Sequence, residues 1–231
     1  MIAHFQAKVL QGRRVLITAG PTFEAMDPVR GISNLSSGKM GFAIARAARE
    51  AGAQVTLVAG PVALASPRGV QRIDVRSAQD MLQACQAQAD TSDILIATAA
   101  VADWRSAEAA DHKMKKDGSG LPPELHLVEN PDILATLATS ARGRSGALFC
   151  VGFAAESQNL LELASAKRVR KDIPLIVGNI GPQTFGQDDN ALLLIDAQGV
   201  TELPRNSKIA LARQLIAHIA HSAQQSIPTI S

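Results

Sequence analysis

Ser36-Ser-Gly-Lys-Met-Gly41 places small residues and a lysine at the opening of a helical stretch. Open N–H groups, the positive end of the helix dipole and an ammonium group together form a phosphate cradle, through Ser36, Ser37, Gly38, Lys39 and Gly41. The run is not a Walker A loop. No glycine stands five residues before Gly38, and Met40 occupies the place of the required Ser or Thr. Nor does Ala19-Gly-Pro-Thr-Phe-Glu24 supply a G-x-G-x-x-G fingerprint. The plainer alternative is an ordinary helix capped by Ser36 or Ser37.

Asp27-Pro-Val-Arg30 and Ser33-Asn34 put an acid, a base and a neutral amide in one segment. Arg30 can grip phosphate or carboxylate bidentately, and Asn34 can both donate and accept hydrogen bonds. Turn chemistry accounts for the same residues, and both readings stand at this stage. Ala97-Thr-Ala-Ala-Val-Ala-Asp103-Trp104 leaves an apolar run through side chains too small to obstruct a ligand. Asp103 then stands where it could bind a metal or a ribose hydroxyl, or cap a helix. His112-Lys-Met-Lys-Lys116 is a basic run of a kind that usually forms a solvated face, with room for one lysine against an anion. Lys167 and Lys171 share a helix face; with Arg168 and Arg170 they also complement a C-terminal dipole. The histidines His4, His112, His126, His218 and His221 do not cluster. No zinc pattern, Ser-His-Asp triad or nucleophile elbow is present.

Short β-branched runs alternating with Ala-rich helical stretches must position these groups. Strands are expected at Arg14–Thr18, Gln54–Val58, Val70–Val75, Asp93–Ala97, Ala147–Val151, Leu175–Gly178 and Ala191–Ile195, which closes the strand list. Helices are expected at Lys39–Ala51 with Gly52 behind it, Ala78–Ala89, Pro131–Ser140 with proline at its start, Asn159–Lys171 and Ser207–Ala220. This order predicts a Rossmann-like three-layer α/β/α fold, with a mostly parallel sheet. Two connections break the rhythm: Ala19–Gly38, and Ala99 to about Pro123. Both far exceed the roughly two to six residues usual between strand and helix. Both follow the carboxyl ends of strands, where open α/β sheets bind ligands.

Composition removes other classes. Hydrophobic residues are 46% and charged residues 19% of the 231 residues, enough for a sizeable core. Lys plus Arg is 23 and Asp plus Glu 21, a formal charge of +2. That balance argues against a nucleic-acid coat or a membrane-surface binder. Aromatics are only 3%, too few for a single-strand stacking platform. Cys85 and Cys150 form no C-x-x-C pair, so a reduced, cytoplasmic setting is expected. Apolar runs fall well short of the ~20 residues that span a bilayer, and no signal peptide is expected.

Taken in order, Val15-Leu-Ile-Thr-Ala-Gly-Pro-Thr22, Asp27-Pro-Val-Arg30 and Ile32–Gly41 closely resemble the phosphopantothenate–cysteine ligase family. So do Ala99-Ala-Val-Ala-Asp103, Lys113-Met-Lys-Lys116, Asn130-Pro-Asp-Ile133 and Val151-Gly-Phe-Ala-Ala-Glu156. The resemblance runs from about Arg14 to the last helix and implies one nucleotide-binding ligase domain at 13–231 behind a linker-like segment at 1–12. It implies condensation of 4'-phosphopantothenate with L-cysteine, with CTP as co-substrate and Mg2+ as cofactor, through an acyl-cytidylate. It further implies a homodimer, with the second long loop crossing to the partner, and a native fusion to a flavin-dependent decarboxylase half.

Position by position, the resemblance implies that Asn34 stabilises the acyl-cytidylate, Arg30 shapes the same substrate site and Lys113 serves activation. It implies that Asp103 lies at the ribose or magnesium, and that Ala97, Thr98, Ala99, Pro131, Asp132, Ile133 and Leu134 bind cytidine, as do Phe153, Lys167 and Lys171. Departures are Trp104 where Tyr is frequent, Met114 for Ile and Ser157 for Thr. Two other readings share the pattern: an NAD(P)-binding Rossmann oxidoreductase, which lacks its glycine fingerprint here, and a non-catalytic nucleotide-binding module.

Overall fold

The computed structural model describes residues 7–115, 124–156, 158–180 and 186–226. Lys116, the end of the second long connection at 117–123 and Ser157 lie outside the described residues. The continuous apolar runs become the middle of the molecule, as strands covered on both faces must. β1 (Arg14–Ala19) pairs in parallel with β4 (Gln54–Ala59) on one side and β6 (Ile94–Ala97) on the other. β5 (Gln71–Asp74) extends the sheet beyond β4, and β9 (Phe149–Glu156) and β10 (Leu175–Ile180) extend it beyond β6, all in parallel. β11 (Asp189–Ile195) and β12 (Val200–Ser207) then complete an eight-stranded sheet with antiparallel pairings.

Alternation along each strand divides the core into two layers. Val15, Ile17, Leu57, Ile94 and Val151 face α1 (Lys39–Glu50) and the last helix, α6 (Lys208–Ser226). Leu16, Val58, Leu95 and Cys150 face α2 (Ala78–Ala89), α3 (Ile133–Ala138) and α5 (Leu160–Arg170). The three-layer α/β/α expectation therefore holds. Both cysteines are buried and unpaired, and burial pushes each thiol up to about 12.

The expected strand list closes one strand early. β12 buries only Leu203, and its Pro204 fits an edge strand rather than an interior one, so the apolar pattern carries no signal of it. The long connections are also partly structured. β2 (Phe23–Ala25) and β3 (Gly31–Ser33) form a hairpin in the first, and β7 (Trp104–Ser106) in the second pairs with β8 (Leu127–Glu129). A short α4 (Ala141–Arg144) follows α3. Pro131 stands before the cap of α3 rather than in its first turn. Asp132 is the cap, accepting from the Ala135 N–H at 2.9 Å.

α1 and α6 are locked together by Glu50, only 7% exposed. Arg213 donates to it at 2.8 and 3.2 Å, and Arg46 at 3.0 Å. Burial raises the Glu50 pKa, but the Arg213 and Arg46 hydrogen bonds and charges outweigh burial and hold it below the ordinary glutamate range. A depressed carboxylate stabilises the fold above its unfolded pKa, and that contribution fades as pH falls through the folded value. Glu50→Gln is expected to cost about 2 kcal/mol near pH 7, the scale of a hydrogen bond to a charged group. The deficit should shrink progressively below about pH 4, a range set by the ordinary carboxylate value. Thermal melts of both proteins across pH 3–7 check this, and a pH-independent difference contradicts it.

Candidate active site

The carboxyl ends of β1, β6 and β9 open into a cleft of ≈ 680 Å³. Its first wall is the start of α1. Gly38 caps that helix with φ 72°, and no side chain caps its first turn, which also holds no acid. The alternative of a serine cap does not hold: Gly38 is the cap residue, and Ser36 Oγ accepts from the Gly38 N–H, at 3.3 Å. Gly41 allows the helix to sit close on the strands: a Cβ there would lie 2.5 Å from both Ala19 Cβ and Thr98 Oγ1. Ser36, Ser37, Gly38, Lys39 and Gly41 all line the cleft. The open end of α1 is thus presented to whatever anion enters.

The second wall is the segment leaving β6. Thr98 donates from Oγ1 to the Thr18 carbonyl at 2.5 Å, and the Ala99 N–H donates to Thr18 Oγ1 at 3.2 Å. The Ala102 N–H donates to Thr22 Oγ1 at 3.0 Å. Asn34 reaches across from the first long connection, its Nδ2 donating to Val101 O at 2.9 Å and Ala100 O at 3.4 Å. Asn34, Ala97, Thr98, Ala99 and Asp103 line the cleft, with the Asp103 side chain exposed. Behind Asp103, Asn130 is held by its N–H on the Asp103 carbonyl and its Nδ2 on Ala102 O, both at 2.8 Å.

The third wall joins β9, α3 and α5. Lys171 Nζ meets Asp132 Oδ2 at 2.5 Å, and Lys167 Nζ donates to the Phe153 carbonyl at 3.1 Å. Burial, reinforced by the Lys171 charge, holds Lys167 below the ordinary lysine range. Burial raises Asp132, but the Lys171 ammonium and the Ala135 N–H prevail and lower it. Pro131, Asp132, Ile133, Leu134, Phe153, Lys167 and Lys171 all line this side. The cleft therefore presents cations on opposing walls, with small apolar side chains between them.

The family described as DNA/pantothenate metabolism flavoprotein C-terminal domain matches residues 10–223. The chain belongs to that family. The coenzyme A biosynthesis bifunctional protein CoaBC of Vibrio cholerae is 48% identical over 228 residues, covering 96% of this chain and 56% of that protein. The chain spans about half the length of such relatives. The crystal structure of the C-terminal domain of a CoaBC superposes with a TM-score of 0.80 at 39% identity, covering 95% of this chain and 100% of that one. A Cab2 mutant in complex with phosphopantothenate-cysteine matches in fold at TM-score 0.76 and 15% identity, covering 98% of this chain and 91% of its own.

Two residues that the family resemblance places in the site do not line the cleft. Arg30 is committed to the buried Asp27, through Nε at 2.9 Å and Nη2 at 2.6 Å, and Nη2 also donates to the Met114 carbonyl at 2.6 Å. Asp27 accepts in addition from the N–H groups of Val29, Arg30 and Met114. This clamp ties the two long connections together beside Lys113, which is exposed. Conversely, Thr18, Asn179, Asn190 and Lys208 line the cleft without having been singled out from sequence. For Lys208 a signal existed. A lysine at the first position of a helix opposes the helix dipole, which marks it as a residue placed for some other purpose.

No group of three or more His, Cys, Asp or Glu side chains that could hold a metal occurs among the described residues. Asp103 supplies an exposed carboxylate in the same cleft as the phosphate cradle. That donor set fits a magnesium ion held largely by substrate phosphates, with one or two protein carboxylates and water. No helix among the described residues is long and apolar enough to cross a membrane.

Proposed function

We propose that this cleft joins 4'-phosphopantothenate to L-cysteine, using CTP and magnesium. The observation that carries the reading is the pair of cationic walls. Lys39 and the uncapped start of α1 face the Lys167–Lys171 pair across a cleft of nucleotide size. Relatives named for coenzyme A biosynthesis and the Cab2 complex with phosphopantothenate-cysteine support the choice of substrates.

In the first step a phosphopantothenate carboxylate oxygen forms a bond to the CTP α-phosphorus. The α–β bridging bond breaks, and pyrophosphate leaves with its electron pair. In the second, the cysteine amine forms the C–N bond, the C–O bond to CMP breaks, and the amine gives up a proton. The chain's part is to bring two anions together and neutralise the charge that develops as pyrophosphate departs. Lys39 and the α1 N–H groups serve the phosphates, and Asn34 positions the acyl-cytidylate. Lys167, Lys171 and the 131–134 segment hold the nucleoside, Arg30 acts from the first long connection and Lys113 from the second. Magnesium at Asp103 supplies further neutralisation of the phosphates when bound.

The reading includes a homodimer, supported by Trp104, Leu127 and Val128, which are exposed on β7 and β8. It also includes a longer native protein carrying a flavin-dependent decarboxylase half, supported by the bifunctional names of the relatives and their greater length. Incubation with phosphopantothenate, cysteine, CTP and magnesium should release CMP and pyrophosphate with matching amide formation. Absence of nucleotide-dependent amide formation with every triphosphate tried contradicts the proposal.

A further inference from the structure

Lys208 opens the 19-residue α6 and is 7% exposed, yet it lines the cleft. Lys39 opens the 12-residue α1 in the same manner. Neither helix carries an acid in its first turn. Two positive helix ends, each bearing a lysine at its first residue, therefore begin in one wall, an arrangement that raises the cost of every positive charge there. The two ammonium groups sense each other: burial lowers the Lys208 pKa, and the Lys39 charge lowers it further.

A carboxylate at the surface answers the Lys39 charge. Asp188 Oδ1 meets Lys39 Nζ at 2.6 Å, but that carboxylate is 91% exposed. The neighbouring Asp189 is engaged by Arg205 at 2.9 and 3.0 Å. Lys39 also donates to the Gly186 carbonyl, and Lys208 donates to the Gln187 carbonyl. An exposed carboxylate on Lys39 is a counter-ion that an incoming phosphate can replace. Asn179 and Asn190, both buried, line the same cleft.

We propose that Lys208 acts with Lys39 to bind a substrate phosphoryl group, that of the terminal phosphates of the nucleotide, and to hold them as pyrophosphate forms. Asp188 is the resident counter-ion they displace. This rests on the ligase reading above, and the test separates the two. Calorimetric titrations of CTP, CMP, pyrophosphate, phosphopantothenate and pantothenate are run on the whole chain as wild type, Lys208→Gln, Lys208→Arg and Asp188→Asn.

Lys208→Gln should weaken CTP and pyrophosphate on the order of tenfold to a hundredfold, the scale of a lost charge-assisted hydrogen bond, and leave CMP unchanged. Lys208→Arg should recover much of the loss, and Asp188→Asn should tighten pyrophosphate severalfold. Equal weakening of CTP and CMP, or no change in either, overturns the proposal. A loss confined to phosphopantothenate relative to pantothenate overturns the nucleotide assignment. If Lys208→Gln fails to fold, the exposed Asp188→Asn decides: unchanged pyrophosphate affinity refutes the cationic wall. A wild type that binds pyrophosphate but no nucleoside triphosphate brings down the ligase reading while leaving Lys208 testable with pyrophosphate itself.

Discussion

Replacing Asn34 by aspartate will leave a folded protein whose kcat/KM falls by about 10²–10³-fold, the scale set by losing one preorganised donor at a reacting group. The amide Nδ2 of Asn34 donates to the carbonyls of Val101 and Ala100, fixing the side chain where two chain segments meet at the cleft. A carboxylate has no donor for those carbonyls and is repelled by them. It also adds a negative charge to a cleft built for anions. Because the side chain is exposed, the melting temperature should change little. The measurement is steady-state turnover beside a thermal melt, and a near-normal rate would remove Asn34 from the mechanism. Loss of turnover with an equal loss of stability would assign it a purely structural part.

Asp27→Asn should lower kcat by about 10²-fold without touching the cleft, because displacement of a reacting group by an ångström has that effect. Asp27 is 1% exposed and binds the Arg30 fork together with the N–H groups of Val29, Arg30 and Met114. Burial raises its pKa, but these partners, Arg30 foremost, hold the carboxyl far below the ordinary range. The contribution is therefore complete above the ordinary aspartate value of 3.8 and declines only as pH falls below it. An asparagine removes the charge and turns one amide hydrogen set toward donors that already need an acceptor.

Lys113 adjoins the clamp at Met114, so its placement should fail with the clamp. Lys113→Ala should lower turnover alone, whereas Asp27→Asn should lower both turnover and melting temperature. Combined, the two should reduce turnover far less than the product of their separate effects. Strict multiplicativity would show that the clamp and Lys113 act independently.

The sheet was readable because its evidence is local. The apolar runs at 15–17 and 94–96 can be buried only between two helical layers, and the helices Lys39–Glu50 and Ala78–Ala89 show their period within a few turns. β12 escaped because an edge strand with one buried side chain and a proline has no periodic signature. The first cleft wall was foreseeable as a helix start rich in small residues, but the choice between a serine cap and an open end was not. That choice depended on the left-handed Gly38 and on how closely Gly41 meets Ala19 and Thr98.

Arg30 shows where linear reading stops. Its type and spacing suit a substrate anion, yet its fork is taken by an aspartate three residues away and by a carbonyl 84 residues along the chain. Hydrogen-bond competition is settled by whichever partner is nearest in space, and spacing in sequence records only the local candidates.

From residue order alone came the α/β layering, the edge of the sheet that binds ligands, and the motifs that resemble a ligase. Periodicity and short motifs are properties of neighbouring residues, so they survive without a fold. Folding alone decided that Arg30 and Asp27 form a clamp, that Lys113 stands beside it, and that Lys208 joins Lys39 in one wall. Those outcomes depend on electrostatics and hydrogen bonding between segments far apart in the chain. Such forces act over a few ångströms, and only the crossovers of the sheet bring their partners within that range.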